Sequence, residues 1–178
     1  MFKLISTMLA ALMLASCGST LPEFGQDRSI NVDDKTAFVV FAVESDSIIE
    51  SLRISGTGFY KMQFEPSDGE VKYVLAQVSP GSYRFSQFKS GIRDYPFKET
   101  DWWKFNVKAG HINYVGHLKL SESFVLGEFF PPIIINESAS ALIYLQEHYP
   151  LLSANLPVRW GGFGQDEFLQ RVTGQNSK

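Results

Sequence analysis

The sequence predicts a mainly β protein: an antiparallel β-sandwich of about seven or eight strands, with one or two C-terminal helices. Three observations point there. The run 36–43, "TAFVVFAV", is apolar at both parities and rich in β-branched and aromatic residues, as in a strand buried on both faces. Further short runs of this kind recur between glycine and proline turn signals, the pattern of a sandwich. Fourteen of the 15 phenylalanines lie beyond residue 16, enough large rings to fill the gap between two sheets.

The elements follow in order. Residues 51–66, "SLRISGTGFYKMQFEP", read as two strands broken near Gly56 or Gly58, and 70–78, "EVKYVLAQV", as another. Two hairpin-like units come next and resemble each other. In "VLAQVSPGSYRFSQF", Pro80-Gly81 suits the centre of a type II turn, after which Tyr83 and Phe85 share a face. In "WWKFNVKAGHINYVGHLKL", Trp103, Phe105 and Val107 share one face, and Lys108-Ala109-Gly110 turns the chain. Its second strand sets Ile112, Tyr114, Gly116, Leu118 and Leu120 against a wet face of His111, Asn113, His117 and Lys119, with Val115 alone out of pattern. Residues 124–130, "FVLGEFF", add a strand that Pro131-Pro132 stops.

Asn136 can cap a helix to about His148, with Leu142, Leu145 and Tyr149 at helical spacing and Pro150 ending it. The run 159–165, "RWGGFGQ", reads as a tight loop. A final helix, "DEFLQRV", would dock Phe168, Leu169 and Val172.

The first residues belong to another class. Lys3 and the amino terminus precede the run 4–14, whose length suits a secretory h-region of about 7–15 residues and falls short of the roughly 20 that span a bilayer. Leu14-Ala15-Ser16-Cys17 follows, and Cys17 is the only cysteine of the chain. This resembles the lipobox of bacterial lipoproteins. The resemblance implies cleavage before Cys17, diacylglycerol on its sulfur and an acyl chain on its new amino group. Gly18, where retained lipoproteins of Gram-negative bacteria carry aspartate, implies the outer membrane on its periplasmic side. Several acyl chains hold a protein stably where one holds it marginally.

The chain then divides into a signal (1–16), a lipidated flexible tether (17–34), a β-sandwich (35–135) and a C-terminal helical segment packed on it (136–178). The tether is expected because "GSTLPEFGQDRSINVDD" is polar and aperiodic. Val78-Ser-Pro80-Gly81-Ser-Tyr83 and Ala109-Gly110-x-x-x-Tyr114-x-Gly116 are similar to the small transthyretin- or prealbumin-like sandwich domain of an uncharacterised lipoprotein family.

The remaining candidates weigh against chemistry. The whole chain carries a net charge of −3, with no basic stripe of the kind nucleic-acid binders show. His111 and His117 stand too far apart on a strand to share a metal, and all three histidines read as solvated. No G-x-S-x-G occurs, and the glycines of "GGFG" lack the lysine and hydroxyl of a phosphate loop. No cofactor is expected beyond the covalent lipid. The long connection 90–103, "SGIRDYPFKETDWW", is the candidate working surface, with Tyr95, Phe97 and Trp102 as partner-binding rings. The expected function is a non-enzymatic, membrane-anchored binding or scaffold module whose partner is an envelope protein or peptidoglycan. The alternatives are a structural part of a secretion or envelope-spanning complex, and a hydrolase with dispersed catalytic residues.

Overall fold

The computed structural model describes residues 19–21, 23–30, 35–64, 70–123 and 128–174. Cys17, the signal and residues 124–127 lie outside the described residues.

The chain is mainly β, with two mixed sheets and a thin helical layer. The first sheet runs β1(Ser19–Thr20), β4(Tyr60–Gln63), β3(Ser51–Gly56), β6(Gly81–Ser90), β7(Arg93–Pro96), and β8(Lys104–Val107) shares the β6 edge with β7. The second runs β12(Ile133–Ile135), β9(Ile112–Leu120), β2(Ala37–Ser45), β5(Lys72–Val78), and β13(Val158–Trp160) shares the β9 edge with β12. A small pair, β10(Glu122–Ser123) and β11(Glu128–Phe129), stands apart. The helices are α1(Ser138–His148), α2(Pro150–Asn155) and α3(Glu167–Val172).

The all-antiparallel expectation is corrected. β2 pairs parallel with β9, β1 with β4, and β13 with β9. The two supposed hairpins are crossings instead. β5 lies in the second sheet and β6 in the first; β8 lies in the first and β9 in the second. The chain therefore leaves β2, builds the first sheet and returns to β2's side pointing the same way, which a long connection permits and a hairpin does not. Residues at the Pro80 corner explain why β6 leaves β5. Thr57 donates its backbone N–H to Ser82 O at 2.9 Å and accepts the Ser82 N–H on its hydroxyl at 3.1 Å. The Tyr83 hydroxyl donates back to Ser79 O at 2.7 Å. Gly81 takes φ +150°, not the type II value near +80°, and a Cβ there would meet the Thr57 side chain.

Two clusters hold the layers together. The first lies between the sheets: Val39, Phe41 and Val43 of β2 and Val115, Leu118 and Leu120 of β9 meet Leu52, Ile54, Tyr83, Phe85, Phe88 and Phe105 of the first sheet. The second lies on the other face of the second sheet, where Phe38, Val40, Ile112 and Tyr114 meet Ala141, Leu145, Leu152, Leu156 and Leu169. β2 is thus buried on both faces, as its unbroken apolar run predicts.

β9 is also buried on both faces, which corrects its reading as half wet. Its register against β2 shifts between Val40 and Ala42, which pair with Tyr114 and His117. This bulge in β9 reverses the parity. Ile112 and Tyr114 face the helices, whereas Val115, Leu118 and Leu120 face the first sheet. Val115 is out of pattern because the pattern itself changes sides there. Gly116 sits in the bulge at φ +120°, and a Cβ would strike the Ile134 side chain at 2.6 Å.

The described part of the expected tether is docked. β1 extends the first sheet beyond β4, Leu21 enters the inter-sheet cluster, and Glu23 bridges Ala76 on β5. Phe24 packs edge-on to Phe38 with centroids 5.1 Å apart, and its carbonyl accepts the Tyr149 hydroxyl at 2.7 Å. The Asp27 carboxylate accepts the Leu151 and Leu152 N–H groups at 2.8 and 3.1 Å, capping α2. The segment straps three layers along one side. Leu21 and Phe24 are isolated apolar residues in a polar stretch, so no periodicity announces them.

The C-terminal elements differ in detail. Pro150 ends α1 and opens α2 at once. Asn136 accepts the Ser138 N–H at 3.1 Å, just ahead of the helix. In α3, Asp166 caps the first turn and only Leu169 is buried; Phe168 and Val172 are exposed, against expectation.

Candidate functional site

The strap closes one side of the two sheets. On the opposite side, among the described residues, no strand pairs with the outer edge of β7 or of β12. The chain connecting β7 to β8 and the chain leading into β12 line a groove there with a volume of about 490 Å³. Its walls include Tyr95, Trp102, Phe129, Phe130, Pro131 and Ile133, and the lining side chains with polar ends beyond the rings are Lys98 and Thr100.

Each wall follows from local structure. Pro96 ends β7, an edge strand where a missing N–H is tolerated. Tyr95 stacks on Phe88 with centroids 4.9 Å apart, and Phe129 sits edge-on to both rings. A 3-10 turn over Asp101–Trp103 then sends adjacent tryptophans opposite ways. Trp103 packs on Phe97 in the core, and Trp102 stays 60 % exposed with its ring 4.8 Å from Phe163. Phe163 belongs to the glycine-rich loop, whose Gly161 clamps the corner by donating to Tyr114 O and accepting from Asn106 N, both at 2.8 Å. On the far wall Pro131 and Pro132 keep the chain extended into β12, leaving Phe130 and Ile133 more than half exposed.

The structure brings together two of the three expected rings. Tyr95 and Trp102 line the groove; Phe97 does not. It is 4 % exposed, enclosed by Phe85, Phe88 and Trp103, because its N–H reaches Ser86 O and continues the β7 alternation inward. The whole "FFPPIII" wall, 129–135, was missed by reading it as a strand and its stop. Its signal was available: consecutive aromatics, two prolines and three isoleucines on a connection have no alternating pattern to bury them.

The titratable groups lie elsewhere. His117 is buried rather than solvated, on the helix side of β9 near Tyr73. Burial lowers its pKa below 6.5; Glu44, whose Oε2 lies 3.1 Å from Nε2, opposes the shift, Lys119 adds to it and Glu137 opposes it. The unfolded chain therefore takes a proton here before the folded one does. This contribution to stability is complete above about pH 6.5 and is lost as pH falls through the folded value. The melting temperature should drop between pH 7.5 and 5, and His117→Gln should remove part of that slope. An unchanged slope would exclude His117 as its source. His111 is half-buried, its Nδ1 2.7 Å from Ala109 O, and His148 is exposed on α1. Tyr114, Tyr144 and Tyr83 are pushed above their ordinary pKa by burial.

Among the described residues no group of three or more His, Cys, Asp or Glu side chains is placed to hold a metal, and no helix is long and apolar enough to cross a membrane. What the groove offers chemically is apolar contact area, ring faces, the Lys98 ammonium, the hydroxyls of Thr100 and Tyr95 and the indoles of its tryptophans. No family model matches this chain, and no curated protein or solved structure matches it either.

Proposed function

We propose that this chain is a lipid-anchored envelope protein that binds an apolar segment of a partner protein in the groove between β7 and β12. Acyl chains on Cys17 fix it to the membrane, most simply the periplasmic face of the outer membrane by the lipobox and Gly18, and confinement raises its effective concentration near its partner. The observation that carries the binding role is the groove. Exposed Trp102, Phe130 and Ile133 gather where two sheet edges end, and each edge has backbone groups on its outer side. Rings supply area at low entropy cost, and an extended segment can add to the edge of a sheet. The lining favours a protein segment over a sugar polymer such as peptidoglycan, because it holds so few hydroxyl or amide partners.

A photo-reactive phenylalanine analogue at position 102, in cells that make the protein naturally, tests the binding. The expected result is a protein adduct whose cross-linked peptide is apolar and which Ile133→Asp abolishes. Adducts to phospholipid alone, or adducts no different from those at the exposed tip residue Ile92, would overturn it. Trp102→Ala should change folding stability by less than about 0.5 kcal/mol, as an exposed side chain, yet weaken partner binding by tenfold or more. A large stability loss would mean that the ring serves the fold instead.

A further inference from the structure

The docked strap places the anchor as well as shortening it. β1 and β4 are parallel, with Ser19 opposite Tyr60 and Thr20 opposite Lys61. The start of β1 therefore lies beside the start of β4, next to the Gly58–Phe59 turn. Cys17 precedes Ser19 by two residues, and two peptide units span at most about 7 Å. The Cys17 backbone therefore lies within about 7 Å of Ser19, and acyl chains on its sulfur would enter the bilayer near this corner. A span that short keeps the anchor beside this corner, where 17 flexible residues would let it stray by roughly 20–25 Å.

Two features of the corner are otherwise unexplained. Phe59 is 69 % exposed, whereas its neighbour Tyr60 turns in toward Tyr83. Lys61 and Arg53 are directly opposed on neighbouring strands. Like charges so placed repel. Arg53 donates to Gln87 Oε1 at 3.1 Å, and among the described residues neither cation has a carboxylate in an ion pair. Anionic headgroups would supply the missing negative charge.

We propose that the β1–β4 edge of the first sheet lies against the bilayer, with Phe59 seated among the headgroups and acyl boundary and with Lys61 and Arg53 facing anionic lipid. The inference rests on the lipid anchor of the preceding reading. Its occupant is the membrane that the chain length brings to this edge. The consequence is directional. β1 and β7 are opposite edges of the first sheet, four strand spacings or about 19 Å apart, so the groove opens away from the membrane. A partner reaches it from the aqueous side.

Lipidation consumes the only native thiol, so an introduced cysteine is the single labelling site. Phe59→Cys and Trp102→Cys are each labelled with bimane, as lipidated protein in vesicles of phosphatidylethanolamine with a minority of phosphatidylglycerol. Headgroup-region nitroxide lipids should quench the label at 59 several-fold more than that at 102. Lys61→Glu should reduce quenching at 59, and only when phosphatidylglycerol is present. Equal or reversed quenching at the two positions overturns the orientation while leaving the anchor standing. Quenching at 59 that is indifferent to Lys61→Glu overturns the headgroup contact. A mass spectrum of the same preparation showing unmodified Cys17 overturns the anchor and the orientation together.

Discussion

Phe85→Ala should destabilise the protein by about 4–5 kcal/mol, the upper range for removing a buried phenylalanine. The ring is fully buried on β6 and holds the two sheets at their closest aromatic meeting. It stands edge-on to Phe41 of the second sheet with centroids 5.4 Å apart, and contacts Phe105 at 5.1 Å and Phe97 at 6.2 Å within its own side. Truncation would forfeit the burial of the ring and leave a void walled by three other rings, none able to collapse without leaving its own partners. Pairwise aromatic terms of about 0.5–1.5 kcal/mol add to the loss. Urea denaturation at neutral pH measures it, with Phe59→Ala as an exposed control expected near zero in solution. A loss below about 2 kcal/mol at position 85 would mean that the sheets are not packed through this ring.

How much of this was readable in the sequence depends on what each residue pattern encodes. Period-two alternation encodes faces. It therefore finds β2, with its unbroken apolar run, and sends Trp103 and Phe105 inward correctly. Alternation does not encode direction or partner. Nothing in "VSPGSY" distinguishes a hairpin from a crossing between sheets. The difference lies in Thr57, some 25 residues away, whose bonds to Ser82 take β6 from β5 and give it to β3. A bulge also breaks the rule silently. The one discordant residue, Val115, was the visible trace of the bulge in β9, and a bulge at Ser86 and Gln87 likewise brings Phe88 inward beside Phe85.

The candidate site was half legible for the same reason. Large rings on a long connection mark Tyr95 and Trp102, and the alternation that continues past β7 removes Phe97 from the surface. The opposing wall comes from residues some thirty positions later, and only the fold sets β12 across from β7. The strap is the hardest case. Leu21 and Phe24 gain their burial from three separate elements, so no local window around them carries the information.

The second large effect is expected at Asn113, which alternation placed on the wet face and the structure buries completely. Its side-chain amide donates to Phe38 O at 2.9 Å, Lys108 O at 3.0 Å and His111 O at 3.2 Å. Its oxygen accepts the Lys108 N–H at 2.9 Å and the Arg159 Nη1 at 3.0 Å. One amide thus joins the crossing between β8 and β9 to the start of β2 and to β13. It also stands beside a guanidinium whose pKa burial lowers, a sign that Arg159 has given up much of its water. Removing the amide leaves several buried polar groups without their partner, at about 1–3 kcal/mol for each that water cannot reach. Asn113→Leu keeps the branched skeleton with bulkier methyl ends and should lose about 3–4 kcal/mol, whereas Asn113→Ala leaves a small void and should lose a comparable amount. Both variants lose every bond of the amide, one with a void and the other with crowding, so a similar loss in the two points to the bonds. Arg159→Ala in the Asn113→Leu background should then lose less than in the wild type, because the partner is already gone. Chemical denaturation of the four proteins closes that cycle. If Asn113→Leu were as stable as the wild type, Asn113 would be a spectator of the crossing that turns this chain from one sheet to the other.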